Sequence, residues 1–86
     1  MRFCTGMIVS TPGALRTFSS AELLQALGRH TAGDWGDLCE EDKQANDAAL
    51  EHGGRLFSSY ELPGGKLWII TEADRSVTTF LLPEEY

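Results

Sequence analysis

Three features of the sequence predict an α+β fold of the order β-α-α-α-β-β-β. Leu23, Leu24 and Leu27 recur at helical spacing and form one apolar stripe. A second, charge-rich helical stretch closes on Gly53-Gly54, residues that tolerate the left-handed backbone a helix end often needs. The last third holds three segments of strand character, Arg55–Leu62, Lys66–Thr71 and Ser76–Leu82, separated by short turns. Short turns favour hairpins, so the three are expected to form a C-terminal antiparallel meander with Lys66–Thr71 in the middle and helices packed on one face.

Each element has its own local signal. Phe3 to Val9 reads as a short first strand, whose place in the sheet is not legible. Thr11-Pro12 starts a brief helix over Pro12–Thr17: threonine can cap, and proline suits the first helical position. Ser19-Ser20 caps a second helix over about Ala21–His30. Gly33-Asp34-Trp35-Gly36 breaks the periodicity and reads as a loop. Asp37, with Glu40 three residues on, fits a capping-box-like start to a third helix over Leu38–His52. Leu38, Ala45, Ala49 and His52 are expected on its inner side and Glu40, Lys43, Gln44, Asp47 and Glu51 on its outer side. Pro63-Gly64-Gly65 and Glu72–Arg75 make the two strand-connecting turns. Leu67-Trp68-Ile69-Ile70 is apolar throughout, as a central strand is, and places Trp68 in the core.

Eighty-six residues, 42% of them hydrophobic and 23% charged, fit a single domain over residues 1–86. A chain this short buries only about 60–65% of its unfolded surface, enough for one core but not for a core and a deep substrate cavity. Met7-Ile8-Val9 is the longest apolar run near the start, too short for a signal-peptide core or a membrane span. Cys4 and Cys39 make no CxxC pair, so two free thiols in a reducing cytoplasm are expected.

The net charge of −6 has one source. From Asp34 to Glu51 there are seven acids and one base, Lys43, whereas the rest of the chain holds six acids and six bases. Such a field repels phosphate backbones, which argues against direct nucleic-acid binding and for a basic protein partner.

Several stretches are distinctive as strings: Thr11–Leu15, Gly33–Leu38, Glu40–Lys43, Gly54–Leu56, Leu67–Thr79 and Leu81–Tyr86. Together they resemble a family of small bacterial proteins described as plasmid-related and often carried on mobile elements, with a shortening around Arg16–Ser20. The resemblance covers about Thr11 to Tyr86 and carries over no catalytic residue. It implies accessory biology of plasmids and phages.

The candidate chemistry competes with plainer readings. His30, Cys39, His52 and Cys4 match no zinc spacing, and the acids of Asp34–Asp42 lack the ligand pattern and central glycine of a calcium loop; no metal or other cofactor is implied. Cys39 beside a histidine could make a nucleophilic dyad, but neighbouring acids oppose thiolate formation. Glu72, Asp74 and Arg75 cluster on one turn, where polar residues occur without a function. Trp35 is either an exposed anchor or a ring folded over the helices. The acidic helix is either a solvated face or a partner surface. The expected site is Asp34, Trp35, Asp37, Glu40, Glu41, Asp47 and Glu51, presenting spaced carboxylates to a basic groove in place of phosphates. On this reading the chain is a non-enzymatic protein-binding module of the cytoplasm. It inhibits or regulates a nucleic-acid-binding partner in an anti-CRISPR or anti-restriction role, and its homo-oligomeric state is left open. The alternative is a small enzyme or toxin using Cys39 or the Glu72–Arg75 turn.

Overall fold

Proline, glycine and capping residues place the helices, and the computed structural model describes residues 2–86 of the chain. The elements are β1 (Met7–Ser10), α1 (Pro12–Thr17), α2 (Ser20–Thr31), α3 (Glu40–His52), β2 (Leu56–Leu62), β3 (Gly65–Thr71) and β4 (Val77–Leu81), followed by a single 3-10 turn, Pro83–Glu85. Thr11 accepts the Ala14 amide at the head of α1. Ser19 and Glu22 form a reciprocal capping box at the head of α2. No described helix is long and apolar enough to cross a membrane.

The four strands make one mixed sheet in the order β1-β4-β3-β2. β3 pairs antiparallel with both β2 and β4, and β1 adds to β4 in parallel. The sheet is therefore larger than a C-terminal meander, because the first strand travels the length of the chain to find its partner. Such a long-range parallel pairing leaves no local signal. β1 is also shorter than Phe3–Val9. Gly6 adopts φ +65, and a Cβ there would lie 2.3 Å from the carbonyl oxygen of Ser76, so the strand starts only after it.

Register divides the sheet into two unlike faces. Leu56, Ser58 and Tyr60 of β2, Leu67, Ile69 and Thr71 of β3, and Thr78 and Phe80 of β4 share one face, and all are buried. Ala14, Phe18, Leu23 and Ala26 join Tyr60, Leu67, Ile69 and Phe80 in the main core. The opposite face carries Phe57, Ser59, Trp68, Ile70, Thr79 and Leu81. Trp68 thus stands half-buried on the open face and not in the core, since the alternation of β3 that buries Leu67 and Ile69 turns it outward.

α3 is held differently from its expected stripe. Asn46 is its one buried residue, while Ala45 and His52 are exposed. The Asn46 side chain receives the Phe57 amide at 3.1 Å and donates to the Phe57 carbonyl at 2.6 Å, so it pairs with the outer edge of β2 as another strand would. Next to it, Ser59 donates to the Trp35 carbonyl and accepts from the Asp37 amide, and Glu61 donates to the Asp37 carboxylate. Asp37 therefore serves the sheet edge and does not cap α3, whose first turn follows Cys39 with no side-chain cap.

Two stability measurements check this assignment. Ile69→Ala should cost about 2–5 kcal/mol in urea unfolding, as truncation of a core residue does, and Trp68→Ala clearly less. Asn46→Leu keeps the volume but leaves the Phe57 amide and carbonyl unpaired under a helix. It should cost about 1–3 kcal/mol, and an unchanged midpoint would show that the edge does not depend on Asn46.

Candidate functional site

The residues from Asp34 to Glu51 split into two groups. Asp34 accepts from the Arg29 guanidinium at 2.7 Å and from the Gly36 amide at 3.1 Å, and the Arg29 bond holds its carboxyl below the ordinary value. Trp35 is only 3% exposed. It stacks near Phe3, meets His30 edge-on at 5.7 Å, and donates its indole N–H to Asp47 Oδ1 at 3.0 Å. The ring is thus folded into the structure and offers no exposed anchor. Asp34, Asp37 and Asp47 all have structural partners. Glu40, Glu41 and Glu51 are exposed, and among the described residues only Glu51 has a basic neighbour, His52 at 3.8 Å.

The start of α3 adjoins the open sheet face. One depression of about 220 Å³ brings Asp37, Cys39 and Asp42 to Phe57, Lys66 and Trp68. Beside it a groove of about 340 Å³ is lined by Arg55, Phe57, Trp68, Ile70 and Tyr86. Phe57 meets Trp68 edge-on at 4.9 Å, and Trp68 meets Tyr86 at 5.8 Å. Arg55 donates to the Tyr86 hydroxyl at 2.7 Å and pairs with Glu72 at 3.4 Å, which holds Tyr86 over the sheet. This aromatic floor was missed from sequence. Its signal was present in the alternation of β2, where buried Leu56, Ser58 and Tyr60 bracket outward Phe57 and Ser59.

The residues considered for catalysis lie apart. Cys39 is exposed at the head of α3, and His52 ends the same helix about 20 Å away at 1.5 Å per residue. His30 is buried beneath the other face. On the Glu72–Arg75 turn, Arg75 donates to the carbonyls of Ala49 and Gly54 at the end of α3, Asp74 accepts from Ser76, and Glu72 holds Arg55. Among the described residues no three His, Cys, Asp or Glu side chains converge where a metal ion could be held.

His30 does contact a serine, and the contact is structural. Its Nδ1 lies 2.5 Å from Ser58 Oγ and its Nε2 2.9 Å from Thr71 Oγ1; Thr71 meets Thr78 Oγ1 at 2.8 Å, and Thr78 donates to the Thr5 carbonyl. The carbonyl can only accept, so the direction of the chain follows from it. Thr78 gives its proton to Thr5, Thr71 gives its own to Thr78, and His30 must donate from Nε2 to Thr71 while Nδ1 accepts from Ser58. No carboxylate backs the ring, and His30 and Ser58 are both fully buried. Burial, with the positive charge of Arg75 adding to it, pushes the His30 pKa down to about 4.

Comparison of the chain with protein-family models, with curated proteins and with solved structures finds no match.

The buried ring makes stability depend on pH. Folded His30 stays neutral down to about pH 4, whereas in the unfolded chain it gains a proton near its ordinary value of 6.5. The unfolded state therefore binds more protons between these values, and stability is full above about pH 6.5 and falls as pH drops toward 4, by up to about 3 kcal/mol. Urea unfolding at pH 7.5, 5.5 and 4.5 measures this, and His30→Phe should flatten that part of the profile. Nitrogen chemical shifts should report the Nε2–H form; an Nδ1–H ring would contradict the chain of donors.

Proposed function

We propose that the chain is a non-enzymatic protein-binding module whose open sheet face receives a basic segment carrying apolar side chains. One observation carries this reading: the aromatic groove of Phe57, Trp68 and Tyr86 adjoins, across Phe57 and Trp68, the depression that Asp37 and Asp42 line at the start of α3. Aromatic residues beside a groove supply large contact areas at low entropic cost, and Trp and Tyr dominate the energetics of many interfaces. Carboxylates at the margin steer a basic partner and set its orientation. Carboxylates in the first turn of a helix are also favourable to the helix itself, so Glu40 and Glu41 serve folding as well as binding. The narrower form, an inhibitor from a mobile element acting in an anti-CRISPR or anti-restriction role, draws on the resemblance to plasmid-related proteins and on the acidity of the segment.

The test starts with cross-linking capture from bacterial lysate and identification of the partner by mass spectrometry, followed by affinity measurements at two salt concentrations. Glu40→Gln/Glu41→Gln/Glu51→Gln leaves the Trp35–Asp47 bond intact, unlike any change at Asp47. It should weaken binding about tenfold at low salt, chiefly through slower association. Trp68→Ala should weaken it at both salt concentrations. Wild-type affinity in both variants, with no salt dependence, would refute the reading.

A further inference from the structure

The two edges of the sheet are treated in opposite ways. At the β2 edge, the outward N–H and C=O of Phe57 and Ser59 and the N–H of Glu61 are taken by Asn46, Trp35 and Asp37. At the β1 edge nothing does this. Met7 and Thr11 donate inward to the carbonyls of Ser76 and Phe80, so by the alternation of a parallel ladder Ile8 and Ser10 turn their N–H and C=O groups outward. Neither backbone has a partner among the described residues outside that ladder. The side chains are exposed as well: Met7 is 69%, Ile8 47% and Val9 37% accessible. An apolar edge strand without lysine, proline or bulge is a template for another strand.

We propose that a second copy of this chain occupies the β1 edge, pairing antiparallel about a two-fold axis to make a continuous eight-stranded sheet. Charge selects this occupant. No residue from Phe3 to Leu15 is charged, so like strands meet without repulsion. The acidic stretch lies along β2, at the far end of the order β1-β4-β3-β2. Pairing through β1 therefore sets the two β2 strands about 34 Å apart, at about 4.8 Å per strand. That separation is several times the screening length of about 8 Å at physiological ionic strength. No other pairing of strand edges keeps the two Asp34–Glu51 stretches so far apart; the acid nearest the pairing is Glu85, whose carboxylate is held by Thr11 and the Gly13 amide just after β1.

The free groups also dictate the register. Ile8 exchanges both hydrogen bonds with Ser10 of the second copy and Ser10 with its Ile8, which puts Val9 opposite Val9 on the axis. Four residues a side make a small interface, at the low end of known complexes, so a dimer in the micromolar-to-millimolar range is expected. The pairing uses the backbone edge of β1; the Val9 side chain shares the open face with Thr79, but lies two strands from β3, which carries Trp68 of the groove proposed above.

Sedimentation equilibrium across that concentration range should show the mass rising from 9.5 kDa toward twice that value. Val9→Lys should remain monomeric, and mixing Val9→Lys with Val9→Glu should restore the dimer, because the two side chains face each other on the axis. In the wild type, hydrogen exchange of the Ile8 and Ser10 amides should slow as concentration rises. This last measurement needs no variant and stands even if Val9→Lys fails to fold. A wild type that stays monomeric, a dimer indifferent to Val9→Lys, a mixture that does not re-form it, or concentration-independent exchange at Ile8 and Ser10 would each overturn the proposal.

Discussion

A sheet has two faces and two edges that need cover, and three helices, one of six residues, must provide it. α1 and α2 close one face with Ala14, Leu23 and Ala26. α3 and the Trp35 loop close one edge through backbone and side-chain hydrogen bonds. The other face and the other edge are left to the C-terminal turn, Tyr86 and solvent. Both binding surfaces inferred above follow from this shortage of helix. A small domain covers a modest fraction of its surface, and what stays open is determined by where its few helices go.

The covered face is not uniformly apolar. Beside the Leu67–Ile69–Phe80 cluster runs a polar chain from Ser58 through His30, Thr71 and Thr78 to the Thr5 carbonyl. A satisfied chain of this kind aligns groups from α2, three strands and the N-terminal segment, and it tolerates only one arrangement of protons. It therefore fixes how the helix layer sits on the sheet, which apolar contacts alone leave looser. Phe3 and Trp35 pack against the same imidazole, so the residues before β1 and those before α3 share its support.

Much of the fold was legible because its signals are local. Thr11-Pro12, the Ser19–Glu22 box and Pro63-Gly64-Gly65 mark boundaries by the chemistry of adjacent residues, and the helices and C-terminal strands fall close to where they indicate. Three things were not legible. The partner of β1 lies about 70 residues away, and no short pattern encodes it. Asn46 and His30 are polar residues in buried positions, and a reading by apolar stripes passes over them. Trp68 lies in a run of four apolar residues, so β3 alone does not reveal which face it takes; the alternation of β2 across the ladder does. Within the candidate site, the acidic segment was legible as charge, but which carboxylates are free was not. That depends on Arg29, Trp35 and the Glu61 amide, which become neighbours only on folding.

This division of the acids bears on how α3 can act. A helix docked by an apolar stripe must keep that stripe, and its outer face is then a by-product. α3 has one buried residue, and its attachments are polar: Asn46 to β2, Asp47 to Trp35, and Arg75 to the Ala49 carbonyl. These hold the helix along its length from its own residues, so Glu40, Glu41 and Glu51 bear no part of the docking. Glu40 and Glu41 favour the first turn of the helix, but none of the three is needed to dock it. Asp37 and Asp42 line one depression with Phe57, Lys66 and Trp68, so on the proposed reading a basic segment is steered to the side of the sheet away from β1. On the two proposals above, the acidic stretch beside β2 and the uncharged backbone edge of β1 would serve two kinds of partner at opposite sides of the same sheet.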